Sequence, residues 1–339
     1  MSDSDAAVSL THDELARRLR ISAERRYGEP VGLEGLKALS GGASASTWQF
    51  DLIRRGERLP MILQLAAGER FSSALTKTQQ GATQQRAAEL GVPTPRVHWI
   101  LDPQDGLGEG YISERLVGET LGKRIVGDPA LAQARTVMAA QCGTILARIH
   151  SLDPNRFADL PTVEPATALA QLAAQHRAYG ERLPVFELAF RWLAEHLPRP
   201  RPPRLVHGDF RNGNLMVDST GIVAVLDWEL AHLGDPMTDL GWLCMNAWRF
   251  GVVDLHVGGF GSREDLYRAY ERENGVPVDE AAVRFWEVFG TLKWGVICQY
   301  FAFQYIDGEV RSVERASIGR RVCETELDLL NLMRTRACR

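Results

Sequence analysis

The sequence predicts an α+β fold in two parts, a strand-rich N-terminal region followed by a larger, mostly helical region. Before residue 118, apolar and polar residues alternate over several short runs, as they do in half-buried strands, with an internal helix among them. After that point the apolar residues recur mainly at helical spacing. The length of 339 residues is enough for two cores. We therefore expect two domains, residues 1–117 and residues 118–339.

Composition and charge narrow the class of protein. The chain is 45% hydrophobic and 24% charged, which is ordinary for a globular protein, and its net charge of −4 gives no field that would attract nucleic acid or an anionic membrane. The five cysteines are scattered and lack CxxC spacing, so we interpret them as reduced thiols of a cytoplasmic protein. The acidic, polar N-terminus and the charged or polar residues within the longest apolar stretch argue against a secretory signal and a membrane span. These patterns leave the oligomeric state open.

The N-terminal region begins with a helix at about 11–27, because Thr11 and Glu14 have the spacing of a capping box. Strands and one further helix follow, with strands at 36–39, 48–52, 60–65, 96–101 and 109–116 and the helix at 72–90. Residues 117–120 connect the two regions. Helices are expected beyond them at 130–152, 164–179, 184–197, 237–249, 263–275, 279–305 and 312–335.

A glycine-containing turn joins the first two strands. Its residues are small, so backbone N–H groups there are able to approach a phosphate. The candidate phosphate-binding residues are Ser40, Gly41, Gly42 and Ser44. A flexible turn without a ligand is the alternative, because short glycine motifs often match by chance.

The chemistry is concentrated between Leu205 and Trp228. Asp209, Asn214 and Asp227 stand at the ends of short apolar runs, and a predicted hairpin at 215–226 brings those ends together. Mg²⁺ prefers a few hard protein oxygens together with phosphate oxygens. Asp209 would accept or orient the proton of a substrate hydroxyl, while Asn214 and Asp227 would hold Mg²⁺ on the phosphates of ATP.

Arg211 and His207 flank Asp209, and each of the three residues has a chemical or a structural interpretation. Arg211 would neutralise charge on the moving phosphoryl group. His207 is better explained as a structural side chain, since it has no other histidine within sequence reach. For Asp209 itself the alternative role is to cap a turn, which is the commonest role of aspartate in a polar loop.

The segment His207–Asn214 resembles the catalytic loop of aminoglycoside phosphotransferases and choline kinase-like enzymes, relatives of protein kinases. Leu226–Glu229 resembles their metal-binding segment, and matches of the same kind are found at Leu39–Gly42, Gly91–Pro95 and Gly234–Trp242. Within that family the chain is most similar to the branch that includes the kinase-like domain of some acyl-CoA dehydrogenases.

This resemblance implies a bilobal protein kinase-like fold, with a small antiparallel-sheet N-lobe that contains one main helix and a larger, mostly helical C-lobe. It also implies ATP- and Mg²⁺-dependent transfer of the γ-phosphoryl group to a small-molecule hydroxyl, with Asp209 as base and Asn214 and Asp227 as metal ligands. Glu114 and Leu116 would lie beside the adenine, and Asp239 would anchor the catalytic loop.

The sequence departs from the family pattern at the cation that faces the phosphates. Kinase-like folds place a Lys or Arg on the third strand, paired with a Glu on the next helix. Here Gln64 takes the strand position, the helix position falls within 80–85, and the only acid between residues 71 and 90 is Glu89. Lys37, on the strand before the glycine turn, and Arg70 are candidates to supply this charge from another direction. A catalytically weak nucleotide- or metabolite-binding module is therefore the alternative function.

The chemical class of the acceptor is predicted from the scarcity of clustered carboxylates in the C-terminal region. An aminoglycoside pocket needs many carboxylates, and the C-terminal region offers only scattered candidates. These are Glu229, Asp235, Asp239, Glu287 and Asp307. The aromatic residues of the same region are more often core than a ligand wall. We favour a less cationic hydroxylated metabolite over an antibiotic, with a hydroxyacyl-CoA suggested by the branch resemblance.

Overall fold

The computed structural model describes residues 10–39, 45–66 and 74–334. The chain divides into two compact units. The N-terminal unit comprises Met1–Glu89 and Thr94–Val117, and the C-terminal unit comprises Leu90–Pro93 and Gly118–Arg339.

The N-terminal unit is a five-stranded antiparallel sheet with two helices. The strands lie in the order β1-β2-β3-β5-β4. Their bounds, with those of the helices, are α1 His12–Tyr27, β1 Gly32–Leu39, β2 Ala45–Arg54, β3 Glu57–Ala66, α2 Lys77–Glu89, β4 Val97–Ile100 and β5 Gly110–Glu114. The core lies between α1 and the sheet, and includes Leu15, Leu19, Phe50, Leu52, Met61, Leu63, Trp99 and Ile112.

The first helix begins where its cap predicts. The Thr11 hydroxyl accepts the backbone N–H of Glu14, and Gly28 ends the helix in the left-handed conformation at φ 68°. The second helix begins later than expected, at Lys77 instead of residue 72. Thr76 and Gln79 exchange side-chain and backbone hydrogen bonds there, which forms a cap that the apolar pattern did not reveal.

The contact of α2 with the sheet depends on a glycine. A Cβ built on Gly81 would lie 2.9 Å from the ring of Tyr111 on β5. Without a side chain at Gly81, the helix approaches the tyrosine closely. This approach places the buried face of α2 against β5 and β3.

In its described residues, the C-terminal unit consists of helices, two short two-stranded sheets and isolated β-bridges. Within the described residues its elements are α3 Gly122–Gly127, α4 Ala132–Ser151, α5 Pro165–Ala178, α6 Pro184–Glu195, β6 Arg204–Val206, β7 Leu215–Asp218, β8 Gly221–Val225, β9 His232–Gly234, α7 Met237–Cys244, α8 Arg263–Asn274, α9 Glu280–Ile306, α10 Val313–Gly319 and α11 Val322–Met333. Strand β6 pairs with β9, β7 pairs with β8 in the predicted hairpin, and Glu119 forms an isolated bridge with Val217.

Several boundaries differ from the expected ones. The predicted helix at 312–335 is two helices, α10 and α11, because the chain turns after Gly319. A Cβ on Gly319 would lie 2.7 Å from the Cβ of Ala302, so the glycine allows α10 to pack on α9. The predicted helix at 237–249 ends at Cys244, and a 3-10 turn follows at Asn246–Trp248. Strand β9 and the short α3 were not predicted, since elements this short carry little periodicity.

A membrane-crossing helix is not found in the part of the chain that the structure describes.

Candidate active site

The loop between β6 and β7 is held in place by one buried carboxylate. Asp239 Oδ2 accepts the backbone N–H of His207 at 2.8 Å, and Oδ1 accepts that of Gly208 at 2.9 Å. His150 Nε2 lies 3.1 Å from Asp239 Oδ2. Burial alone would raise the pKa of Asp239, but the hydrogen bond and charge of His150 hold it below the ordinary aspartate value. Asp239 therefore anchors the loop, as the resemblance implied.

Asp209 lies at the centre of this loop and is only 7% exposed. Its carboxylate is held by three side chains. Trp242 Nε1 donates to Oδ1 at 2.7 Å, Asn214 Nδ2 donates to Oδ2 at 2.6 Å, and Arg211 Nε lies 3.0 and 3.2 Å from the two oxygens. Asn214 Nδ2 also donates to the Asp209 carbonyl at 3.0 Å. These contacts fix the orientation of the carboxylate.

The hairpin brings Asn214 and Asp227 into the same neighbourhood. The backbone N–H of Leu226 donates to the Asn214 carbonyl at 2.8 Å, so Asp227 follows directly after a residue bonded to Asn214. Because Asn214 uses its amide nitrogen on Asp209, its amide oxygen is available to another partner. An amide oxygen and a carboxylate are ligand types that suit Mg²⁺. These two side chains fit the metal that the sequence predicts.

The backbone at Asp227 is unusual. Its φ is 65°, in the left-handed region that non-glycine residues rarely adopt. Conformations of this kind persist where surrounding structure enforces them, and they concentrate at functional sites. His207 supplies part of that support. Its Nε2 lies 3.1 Å from the Leu226 carbonyl, its ring packs on Trp228 at 4.7 Å, and burial lowers its pKa. His207 is thus structural, as predicted.

Arg211 is engaged by the protein itself. Besides its contact with Asp209, its guanidinium carbon lies 4.6 Å from the centre of the Trp248 ring. This arrangement orients the guanidinium beside the carboxylate without committing all of its N–H groups.

Lys293 is a nearby cation that sequence reasoning missed. Its Nζ lies 5.3 Å from the centre of the Trp242 ring, the same ring whose N–H contacts Asp209. Burial lowers the pKa of Lys293, while the charge of Asp209 opposes that shift. The only available signal was a single lysine within the otherwise apolar run of α9.

The candidate carboxylates of the C-terminal unit are largely used within the protein. Asp235 accepts hydrogen bonds from Trp286 Nε1 at 2.8 Å and from the backbone of Met237. Glu287 accepts two hydrogen bonds of 2.7 Å from Arg263 and lies 3.5 Å from Arg249. Burial raises the pKa of Glu287, and Arg263 opposes that rise. Together with Asp239, three of the five candidates are thus bonded inside the unit.

In the N-terminal unit, Gln64 does not bond directly to a glutamine of α2. The Tyr111 hydroxyl lies 3.0 Å from Gln64 Oε1 and 3.2 Å from Gln84 Oε1, and Gln84 Nε2 donates to the Pro95 carbonyl at 2.6 Å. A hydroxyl has one proton, so it donates to one of these oxygens at a time. Tyr111 therefore links the strand to the helix at the place where the family pattern has an ion pair.

The remaining predicted nucleotide residues are placed as follows. Glu114 is the last residue of β5, and its Oε1 accepts the Arg96 backbone N–H at 2.8 Å, while Leu116 follows the strand and is half-buried. Lys37 is exposed on β1. The other predicted residues, Ser40, Gly41, Gly42, Ser44 and Arg70, lie outside the described residues.

A metal site formed by a cluster of histidine, cysteine or carboxylate side chains would differ from the Asn214 and Asp227 pair described above. Within residues 10–39, 45–66 and 74–334, no group of three or more His, Cys, Asp or Glu side chains is arranged to hold a metal ion.

Comparison with protein families and curated proteins identifies relatives. The model of the phosphotransferase enzyme family, APH, matches residues 35–286. Acyl-CoA dehydrogenase family member 10 of Mus musculus is 26% identical over 290 residues, covering 79% of this chain and 26% of that protein. Acyl-CoA dehydrogenase family member 11 of Homo sapiens is 24% identical over 299 residues, covering 82% of this chain and 38% of that protein. The chain thus spans well under half the length of these relatives.

Solved structures share the fold at low sequence identity. A candidate aminoglycoside phosphotransferase from Ralstonia eutropha has a TM-score of 0.75 at 22% identity, covering 93% of this chain and 97% of that one. A choline/ethanolamine kinase family protein from Mesorhizobium loti has a TM-score of 0.60 at 18% identity, covering 89% of both chains. Aminoglycoside phosphotransferase APH(4)-Ia, in ternary complex with ADP and hygromycin B, has a TM-score of 0.59 at 18% identity, covering 95% and 99%. The predicted α+β, protein kinase-like fold is confirmed.

Proposed function

The chain belongs to the phosphotransferase enzyme family, and we propose that it is a small-molecule kinase that transfers the γ-phosphoryl group of ATP to a substrate hydroxyl. The observation that carries this proposal is the arrangement around Asp209. A carboxylate held by Trp242 and Asn214 stands in a loop whose neighbouring hairpin presents Asp227. This set provides a proton acceptor and two metal-binding oxygens in one place.

In the proposed reaction Asp209 accepts the proton of the attacking hydroxyl. Trp242 and Asn214 fix its carboxylate, which reduces the reorganisation needed when the hydroxyl arrives. Arg211 places positive charge beside Asp209, where charge develops on the transferred group. Mg²⁺ held by Asn214 and Asp227 would neutralise charge on the nucleotide phosphates.

For nucleotide binding we propose residues 1–117 as the nucleotide-binding lobe and residues 118–339 as the catalytic and substrate-binding lobe. Backbone groups near Glu114 and Leu116 would contact the adenine, with Gln64 and the glycine turn at 40–44 near the phosphates. An ADP complex of one structural neighbour and a GDP complex of another support nucleotide binding. We propose ATP as the donor, and GTP is the alternative to be tested.

The proposed acceptor is a hydroxylated metabolite that is not a polycation. Asp235, Asp239 and Glu287 already accept hydrogen bonds inside the unit, which leaves few carboxylates to hold an aminoglycoside. Arg211 places positive charge beside Asp209 instead, and Lys293 lies against the ring of Trp242. The relatives named as acyl-CoA dehydrogenases make a hydroxyacyl-CoA a reasonable first compound to test.

The setting of the enzyme is proposed to be cytoplasmic. Cys142, Cys244 and Cys298 are buried free thiols and Cys323 is an exposed one. Free thiols of this kind are usual in a reducing compartment.

A catalytically weak binding module is the second candidate, and a neutral Gln64 at the expected cation position favours it. Titration with ATP in the presence and absence of Mg²⁺, followed by a screen of hydroxyl compounds for ATP consumption, separates the two. Metal-dependent binding with consumption that Asp209→Asn abolishes supports the kinase. Binding without any acceptor-dependent consumption supports the module, and an Asp209→Asn protein with full activity contradicts the proposed role of Asp209.

A further inference from the structure

A lysine of the N-terminal unit is buried, and its hydrogen-bond partner among the described residues is a neutral amide. Lys77 is the first residue of α2, and its side chain is only 6% exposed. Its Nζ donates to Gln80 Oε1 at 2.6 Å, and no carboxylate of the described residues lies within ion-pair distance of it. An amide oxygen does not compensate the burial of an ammonium charge as an anion does. Among the described residues, this charge therefore has no carboxylate as a direct counter-ion.

The position of Lys77 on the helix adds to this imbalance. The first turn of α2 contains no acidic residue, and a cation at a helix N-terminus opposes the helix dipole. The helix is capped by other groups, since the backbone N–H of Gln79 donates to Thr76 Oγ1 and that of Thr78 donates to Glu109 Oε1. Lys77 is therefore neither a cap nor a favourable charge for α2.

The side chain lies on the helix face that contacts the sheet. Lys77, Gln80 and Gln84 are all buried residues of α2, at a spacing that places them on one face. Gln84 shares the Tyr111 hydroxyl with Gln64, the strand residue at the position where kinase-like phosphoryl transfer uses a lysine. The buried face that carries Lys77 is thus the face linked to that strand position.

We propose that Lys77 is the phosphate-binding cation of the N-terminal unit, supplied from α2 because β3 presents the neutral Gln64. This inference rests on the proposed nucleotide-dependent function. The nucleotide phosphates would provide the counter-charge that the described residues do not supply to Lys77. Gln80 holds Nζ in position, so the ammonium is directed before the nucleotide binds.

The test is calorimetric titration of the full chain with ADP and with adenosine in the presence of Mg²⁺. Lys77→Met is expected to weaken ADP binding at least tenfold and to leave adenosine binding unchanged, because adenosine has no phosphate. Lys123→Met, which removes an exposed lysine from α3, is the matched control and should bind ADP like the wild type. Lys77→Gln, which keeps a polar group against Gln80, serves as a second variant with the same expected loss.

A charge swap completes the experiment. Gln64→Lys introduced into Lys77→Met returns an ammonium to the strand and should restore ADP affinity to within about threefold of the wild type. A double variant as weak as Lys77→Met overturns the proposal, because the loss would then come from a disturbed helix. Equal losses for ADP and adenosine, or unchanged ADP affinity in both Lys77 variants, also overturn it. Wild-type protein that does not bind ADP contradicts the proposed function itself, which distinguishes the two failures.

Discussion

Trp242→Phe tests whether the tryptophan next to Asp209 matters for catalysis. The substitution keeps a buried aromatic ring and removes the N–H that donates to Asp209 Oδ1 at 2.7 Å. A hydrogen bond to a charged group contributes about 1.5–3 kcal/mol. If that contribution orients Asp209 in the transition state, kcat should fall by about 10- to 150-fold, with little change in KM for ATP.

The structure offers a matched control for this substitution. Trp286→Phe removes a hydrogen bond of the same type, from a buried indole N–H to Asp235 Oδ2 at 2.8 Å. Both variants should lose a similar amount of folding stability, about 1–3 kcal/mol by chemical unfolding. Only Trp242→Phe should lose kcat to the stated extent in a coupled ATP-consumption assay. Equal kcat losses in the two variants, or wild-type kcat in Trp242→Phe, would refute the role of this hydrogen bond.

Three further predictions concern the carboxylate that anchors the loop, the buried ion pair and the proposed metal ligand. Asp239 has a pKa below its unfolded value of about 3.9, so its contribution to the free energy of unfolding is present above that pH and is lost as the pH falls through the folded pKa. Asp239→Asn should therefore have a lower free energy of unfolding than the wild type at pH 7. When urea unfolding is measured across pH, the free energy of unfolding of the variant should also fall less steeply in acid. Equal pH dependence of the two proteins would count against this role of Asp239. Glu287→Gln should lower the free energy of unfolding by about 3–5 kcal/mol, because Arg263 and Arg249 would lose their buried counter-charge. Glu264→Gln, which changes an exposed pair with Arg268, is the control and should leave the unfolding midpoint nearly unchanged. Similar unfolding midpoints for both variants would contradict the buried ion pair. Asn214→Ala should raise the Mg²⁺ concentration needed for half-maximal ATP binding at least tenfold. Asn212→Ala is the control and should leave this concentration unchanged, because the Asn212 amide donates to the Gly258 carbonyl instead. An unchanged Mg²⁺ requirement in Asn214→Ala would show that Asn214 is not a metal ligand.

The local parts of the fold and site were predictable because their signals are local. The cap at Thr11, the hairpin around residue 220 and the spacing of Asp209 and Asn214 depend on residues close in sequence. The motif around Asp239 indicated its anchoring role, and the structure confirms the hydrogen bonds to the loop.

The parts that were missed depend on contacts distant in sequence. Trp242 reaches Asp209 across 33 positions, and Tyr111 reaches Gln64 across 47. Neither hydrogen bond is predictable from hydrophobic periodicity or from a sequence motif. The break between α10 and α11 depends on how closely Gly319 approaches Ala302, which is a property of packing. Burial of Lys77 is likewise set by the sheet against which α2 packs, so a lone lysine in the sequence does not reveal it.

Asp209 is proposed to accept a proton during phosphoryl transfer, and the rate of a single turnover reports on this step. Single-turnover transfer of the γ-phosphoryl group from labelled ATP to an acceptor hydroxyl, in excess Mg²⁺, is followed for the wild type and Asp209→Asn with the acceptor found in the screen. Loss of a general base lowers the rate by about 10²- to 10⁴-fold, so the variant should transfer at least 100-fold more slowly while binding ATP with unchanged affinity. Transfer by Asp209→Asn at the wild-type rate would show that Asp209 is not the proton acceptor.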